Sequence, residues 1–517
     1  MSDEPSTYDE LPYSDNAFML AHPDRLAVIG RLHGLSPAPV DRCMVLELGC
    51  GLGGNIMPMA AVMPGSRFVG IDLSGRQIEQ GRAVIGQLGL SNIELRRQDV
   101  MDFAPGEGPF DYILCHGVYS WVPREVQDRI MAICGRNLAP GGLAMVSYNT
   151  YPGWHLSEAV RDIMRYGARG AGSPAEQVKR ALDFLSLIAR NVFTPESPYG
   201  QVVRAVSETL AVEDPTYIFH EYLESCNLPV SSEEFAGRAD AAGLRYVDEA
   251  CMEDMSGLLT DESRGALSAV AEDVIRCERT LDFLRARQFR RDVLCRKEQP
   301  VERWPRPEAL KGMLLVSQAE PASANPQVTG DAVEQFRGPA RRSLSTGEPA
   351  LKIALVALHR ARPRAMEYGQ LLAAVRGAIG DVDETLFSRS MLACAMAALV
   401  ELHTHLPLIA ARPPERPLAS PLARRQAGAG KVVVDLRHRS VQLDSLSAAV
   451  LSLLDGTLDR GGACGAIAER IGAGTLTIDA LPGGGREVPR ADIDKIVGEV
   501  LEALANLRLL MGRAEEG

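Results

Sequence analysis

Between residues 43 and 147, short apolar and β-branched runs alternate with amphipathic stretches of helical length, and this alternation narrows the fold more than any other feature. Segments 43–48, 67–72, 93–98, 112–115 and 143–147 read as strands. Segments 54–63, 75–88 and 124–137 read as helices, the first two stopped by Pro64-Gly65 and Gly89. Strands separated by single helices need crossover connections, so the pattern predicts an α/β domain with a parallel sheet covered on both faces. The alternation breaks over 155–225, which is mostly helical, and resumes with a serine-capped helix at 232–242 and a strand at 244–247. A long helix over 265–287 and an alternating strand at 289–295 follow. The simplest account is one sheet domain, residues 1–300, with a helical insertion at 156–229.

A chain of 517 residues needs more than one core. Residues 318–330 read as a solvated loop inside a largely helical middle unit, 301–420. Residues 421–517 carry a hairpin, 431–436 with 440–443, then helices at 445–454, 461–471 and 491–511, a pattern that predicts a winged-helix-like module.

The first strand runs into Glu47-Leu48-Gly49-Cys50-Gly51-Leu52-Gly53-Gly54-Asn55. Glycines let the backbone turn sharply and approach a ligand, and the helix that follows points its N-terminus at the site. Glycines in this spacing alone suit a dinucleotide fold equally well. Three acids decide between the two. Glu47 precedes the glycines, where enzymes that use S-adenosylmethionine (SAM) engage the cofactor's amino-acid portion. Asp72 ends the second strand, placed to accept from both ribose hydroxyls. Asp99 follows the third, placed to accept from the adenine amino group with Val100 flanking the ring. Leu73, Gln77 and His116 complete the expected cofactor set. No metal is expected: His403-Thr404-His405 has no cysteine or acidic partner at ligand spacing and reads as a strand or turn face.

The run from Phe110 to Trp121, with its strand at 112–115, reads as a fourth strand running into the site past Tyr119, and residues 138–142 are expected to turn into the fifth. Asn149-Thr150-Tyr151-Pro152-Gly153-Trp154-His155 then sits at the carboxyl edge, where doubly wound sheets place substrates. Aromatic faces there favour an ammonium or sulfonium, and amide or phenol oxygens orient a nucleophile. Asn149, Tyr151 and Trp154, with Tyr119 and His155, are therefore the expected catalytic residues; a rigid loop with Trp154 packing is the alternative. No general base stands out. SAM is an activated donor, so positioning and desolvation can carry most of the rate.

Several strings are similar to one family: Tyr8-Asp9-Glu10-Leu11-Pro12-Tyr13, His22-Pro23-Asp24-Arg25-Leu26, Ser147 through His155, the run 283–291, Ser343-Leu344-Ser345-Thr346 and the run 416–424. They resemble bacterial class I methyltransferases with a methyltransferase regulatory domain, whose best-known members are rickettsial protein lysine methyltransferases. The resemblance covers essentially the whole chain and is most specific at 147–155. It implies a Rossmann-like SAM-binding domain, an inserted helical region used for dimerisation, a middle domain and a winged-helix-like C-terminal domain. Ser14-Asp15-Asn16-Ala17-Phe18 departs from the more aromatic, proline-bearing run of that family.

The expected partners are a protein or peptide substrate and a second copy of the chain. Ala181, Leu182, Phe184, Leu185, Leu187 and Ile188 exceed what one buried helix face needs. Residues 435–443 with 448–457 resemble small winged-helix domains that bind leader peptides, although a plain packing module fits as well. Methylation of a protein side-chain nitrogen, lysine first, is the leading function. A small-molecule methyltransferase and a non-catalytic SAM scaffold are the alternatives, and the intact glycine turn argues against the scaffold. DNA-base methylation is disfavoured because the fourth strand ends Cys115-His116-Gly117-Val118 rather than in an amino-methylase clamp. A net charge of −12 also argues against a protein built to grip nucleic acid. Ten scattered cysteines with no C-x-x-C pair, no secretory pattern after Met1 and no apolar run of spanning length predict a cytoplasmic protein away from membranes.

Overall fold

The computed structural model describes residues 16–104, 106–252, 260–476 and 489–512; the Pro12-Tyr13 motif lies outside them. Seven strands form one sheet in the order β3-β2-β1-β4-β5-β7-β6. They are β1 Met44–Leu48, β2 Arg67–Asp72, β3 Ile93–Arg97, β4 Phe110–Cys115, β5 Leu138–Asn149, β6 Leu244–Glu249 and β7 Phe289–Arg296. β1 to β5 pair in parallel, and β7 runs antiparallel between β5 and β6. Side chains alternate along each strand, so the sheet feeds two cores. Val45, Tyr112, Leu114, Met145 and Val293 lie in one, and Leu46, Leu48, Ile113, Val146 and Leu294 in the other.

The helices follow local chemistry. Ser74 accepts from the Gln77 N–H and starts the helix Gly75–Leu88, and Gly89, at φ 66°, ends it. The helix Pro23–Leu32, called α1, buries nine of its ten residues. It does so because the first core continues without a break into the middle unit, through Leu315, Leu355, Leu371, Met391 and Leu402. The insertion, with helices Trp154–Gly167, Pro174–Asn191 and Pro198–Leu210, has a core of its own. So does the C-terminal unit, where β8 Val432–Val434 pairs with β9 Ser440–Gln442 beside the helices Pro421–Ala429, Arg460–Gly472 and Arg490–Asn506.

Several expectations need correction. Residues 138–142 are strand, not turn: Leu138 pairs with Phe110, Arg296 Nε donates to its carbonyl at 2.8 Å, and a register shift between Phe110 and Tyr112 accommodates the irregularity. The long helix over 265–287 is two helices, Asp261–Ala269 and Val274–Arg285. Asp273 Oδ1 accepts from the Ile275 and Arg276 N–H groups and starts the second. Part of the 318–330 loop, Glu320–Pro321, pairs as a short strand with Glu334–Arg337. The helix Pro421–Ala429 was not expected, although Ser420 caps it and proline opens it. The last helix stops at Asn506 rather than 511, and Met511 bridges back to Ile409. His403, Thr404 and His405 converge on one carboxylate of α1. Asp24 Oδ2 lies 2.8 Å from His403 Nδ1, and Asp24 Oδ1 accepts the Thr404 N–H at 2.6 Å and the His405 N–H at 2.9 Å. Among the described residues no helix is long and apolar enough to cross a membrane.

Candidate active site

Gly49, Gly51 and Gly53 have φ of 73°, 55° and 92°, which side chains rarely adopt. A methyl on Gly49 would overlap Cγ2 of Val118, so the turn after β1 lies directly against the loop after β4. Asp72 holds the turn from the next strand: its Oδ2 accepts the Gly51 N–H at 2.8 Å and its Oδ1 accepts the Ser74 N–H at 2.9 Å. Glu47 is buried, and its Oε1 accepts from Asn55 Nδ2 at 2.7 Å. Gln77 lies under the turn, its amide oxygen at the position a Gly51 side chain would need. Beyond the turn, Leu73 and Met101 are 55% and 43% exposed, two apolar side chains left in solvent beside the two acid-bearing strand ends. Asp99 starts a short helical turn by accepting the Met101 N–H at 2.9 Å, and Val100 is half-buried there.

On the other side of the turn, Phe18 leans over the site. Its N–H donates to Asn55 Oδ1 at 3.0 Å, and its ring lies 4.1 Å from that of His116. The His116 ring meets Phe289 edge-on at 6.0 Å, and Phe289 pairs with Asn149 across β5 and β7. Burial and the nearby Arg291 push the His116 pKa down to about 3, so the ring is neutral at physiological pH. The loop after β5 is laced to its neighbours: the Asn149 N–H donates to Ser120 Oγ at 2.8 Å, and the Asn149 carbonyl accepts the Val230 N–H at 3.1 Å. Leu228 N–H donates to the Ser120 carbonyl at 2.7 Å, which brings the 227–230 segment to the same edge. Trp154 meets Trp121 edge-on at 6.3 Å, and the Arg161 guanidinium lies 5.9 Å from the Trp121 ring.

The five residues expected to be catalytic do not all meet. Asn149 and Trp154 are buried at the edge. Tyr151 stacks on His155 at 4.1 Å, and its hydroxyl donates to Glu158 at 3.0 Å, which together with burial raises its pKa to about 12. His155 is mostly exposed and also engages Glu158. Tyr119 is fully buried between Tyr148 and Phe235, with its hydroxyl accepting from Arg238 at 2.9 Å. Phe18, Ser120 and Asn227 are at the site but were missed by sequence reasoning. Phe18 sits in the N-terminal run that departs from the family pattern, and no motif marks the other two.

The fold matches solved proteins over its whole length. PKMT2 from Rickettsia typhi, in complex with AdoHcy, superposes with a TM-score of 0.86 at 27% identity, covering 97% of this chain and all of that one. The methyltransferase domain family matches residues 45–142, the predicted methyltransferase regulatory domain 214–296, and the PKMT C-terminal winged helix domain 415–509. One uncharacterized protein of Rickettsia prowazekii is 27% identical over 98% of this chain and 93% of its own length. A second is 34% identical over 233 residues, 45% of this chain and 93% of that protein. The chain is a class I SAM-dependent methyltransferase of the rickettsial PKMT-like family. The residues present in this methyltransferase fit the cofactor. The turn takes three positive-φ glycines with bare backbone, carboxylates stand at the ends of two strands, and Leu73 and Met101 offer exposed apolar faces for a ring. The regulatory-domain match covers β6 and β7, the strands that complete the sheet after the insertion.

Proposed function

We propose that the methyltransferase transfers a methyl group to a side-chain amine, lysine first, of a protein or peptide substrate. One observation supports this most. Asn149 Nδ2, Trp154 Nε1, His116 Nδ1 and both amide atoms of Asn227 are buried without a hydrogen-bond partner among the described residues. Each such group costs about 1–3 kcal/mol unless a ligand or water satisfies it. At the carboxyl edge these atoms fit a polar substrate group entering an aromatic-walled slot: Asn149 Nδ2 and Trp154 Nε1 would donate to an acceptor such as a peptide carbonyl, and Asn227 Oδ1 would accept from an amine.

In this reading Asp72 takes the ribose, Glu47 the amino-acid portion, and Asp99, Val100 and Leu73 the adenine, with Gly49, Gly51 and Gly53 allowing close approach. Bound SAM supplies a methyl group already activated on a sulfonium. Trp154 and Trp121 exclude water from the incoming amine, and the Asn149 amide accepts a hydrogen bond from it and aims its lone pair. The name of the R. typhi protein, PKMT2, and the PKMT winged-helix match support a protein acceptor over a small molecule. All ten cysteines are free thiols, which fits a reducing cytoplasm.

Of the residues expected at a dimer contact, Leu187 alone is exposed, and the assignment otherwise moves to its neighbours. Ala181 and Leu185 are buried in the insertion's own core, Leu182 and Ile188 pack against it, and Phe184 lies against Tyr166. Tyr166, Leu187, Phe193, Tyr199 and Val212 are among the exposed apolar side chains there, and we assign the contact with a second copy to them. Incubating the enzyme with a proteome and isotopically labelled SAM, followed by mass spectrometry, tests the acceptor. Label on lysine is expected; label confined to small molecules would refute the reading.

A further inference from the structure

The C-terminal unit reaches into the site just described. The turn between β8 and β9 carries His438, whose Nε2 lies 2.8 Å from Asn55 Oδ1. That oxygen also accepts the Phe18 N–H at 3.0 Å, and Asn55 Nδ2 donates to Glu47 Oε1 at 2.7 Å. His438 and Asn55 are each 5% exposed and Glu47 is 4% exposed, so the His438–Asn55–Glu47 part of the chain is dry. Its donors and acceptors fit only one way. The backbone N–H of Phe18 can only donate, which fixes the Asn55 oxygen on that side and its nitrogen toward the carboxylate. His438 therefore presents Nε2–H, and burial keeps its ring neutral.

The turn that carries His438 is itself held open to this contact. His438 has a φ of 61°, a left-handed conformation uncommon for a residue other than glycine or asparagine. Asp435 clamps it. Its Oδ1 accepts the Arg437 and Arg439 N–H groups at 2.8 and 2.9 Å, and its Oδ2 accepts Arg508 Nε at 2.7 Å. The His438 N–H closes the turn on the Asp435 carbonyl at 3.0 Å. His22, at the start of α1, backs the ring at 5.2 Å.

We propose that His438 is a positioning residue of the cofactor site, through which the docked C-terminal unit orients Asn55, Glu47 and the Phe18 segment for SAM. Two donors on one amide oxygen polarise the amide and strengthen its bond to Glu47. If the C-terminal unit shifts, the Asn55 amide loses a donor and Glu47 loses its fixed orientation. SAM affinity is thereby coupled to the placement of the winged-helix unit, and by reciprocity SAM stabilises that placement. The inference rests on the proposal that Glu47 faces the cofactor.

The test uses the full chain and three variants. In His438→Asn the residue tolerates the left-handed backbone at least as well, but its amide is one bond too short to reach Asn55. In His438→Gln the amide nitrogen keeps the reach of Nε2. We expect the Asn variant to melt no lower than the Gln variant, both somewhat below wild type, and to bind SAM about tenfold more weakly than wild type. The loss should show in KM for SAM rather than in kcat, and the Gln variant should recover most of the affinity. Asp72→Ala serves as the reference for the cofactor site. Wild-type SAM affinity in His438→Asn alongside a weakened Asp72→Ala would overturn the inference. Equal losses in the Asn and Gln variants, with matching losses in melting temperature, would also overturn it by making the role structural. Unchanged affinity in Asp72→Ala would instead remove the cofactor assignment on which it rests.

Discussion

Asp72 carries two jobs, and its removal should be measurable as both. Its two carboxylate oxygens accept the Gly51 and Ser74 N–H groups at 2.8 and 2.9 Å, so the carboxylate shapes the glycine turn before any ligand arrives. In the cofactor assignment the same carboxylate accepts from the two ribose hydroxyls. Asp72→Ala therefore removes two charge-assisted bonds to the cofactor, each worth ~1.5–3 kcal/mol. Solvent bonds to the freed hydroxyls recover part of that. A net loss of about 1.4–3 kcal/mol corresponds to a rise in Kd of roughly 10- to 150-fold. The two released N–H groups destabilise the turn as well, by about 1 kcal/mol each where water replaces the carboxylate. Calorimetry with SAM gives the first quantity and thermal melting without SAM the second. A variant of Ser74, Ser74→Ala, controls for stability alone: it removes the cap on Gln77 at 3.1 Å, at about 1 kcal/mol, and leaves the carboxylate in place. If Asp72→Ala bound SAM within twofold of wild type, the assignment of the end of β2 to the ribose would fail.

At the acceptor edge, Asn149→Ala and Trp154→Ala should each lower turnover on the order of a hundredfold, about 2.7 kcal/mol of barrier, with SAM Kd little changed. Tyr151→Phe should turn over within about threefold of wild type, a typical surface-bond effect, because that hydroxyl is spent on Glu158. A collapse of turnover in Tyr151→Phe, with near-normal rates in the other two, would move the acceptor site. The Phe193→Ser, Val212→Ser double variant should run as a monomer in light scattering while the wild type runs as a dimer; a monomeric wild type at micromolar concentration would refute the interface. Burial opposes ionisation of Asp24, yet the His403 hydrogen bond and charge win and hold its pKa at about 2. A depressed carboxyl stabilises the fold above the unfolded value near 4 and loses that contribution as pH falls toward 2, about 2–3 kcal/mol in all. Melting temperature followed from pH 5 to pH 2 should fall less steeply in Asp24→Asn than in wild type.

What the sequence made legible follows from how local each cause is. The strand-and-helix alternation and the glycine turn are set by near neighbours, so β1 to β4, the helix 75–88 and the positions of Asp72 and Asp99 were read to within a residue or two at most boundaries. Residues 138–142 misled because Pro140 and two glycines suggest a turn by themselves, whereas Leu138 is recruited into the strand by Phe110 and Arg296. Tyr119 and Tyr151 were legible as residues near the edge but not in their orientation, since Arg238 and Glu158 claim their hydroxyls. His438 was beyond reach: it lies 383 residues from Asn55, and only tertiary structure brings the two together.

The burial of α1 has a consequence for synthesis. Nine of its ten residues are inside, and Asp24 finds its partners on residues 403–405. At about 5–20 residues per second, roughly 20–80 seconds separate the emergence of Asp24 from that of His403. Throughout that interval α1 can pack on β5 and β6 of the sheet, but the side that meets Val400–His403 has no cover. Growing chains halted before residue 400 should therefore hold chaperones on this segment, and chains halted after 410 should release them. A methyltransferase truncated to its sheet domain would keep the side of α1 that meets the middle unit permanently uncovered, so solubility on expression, rather than catalysis, would be the first property lost.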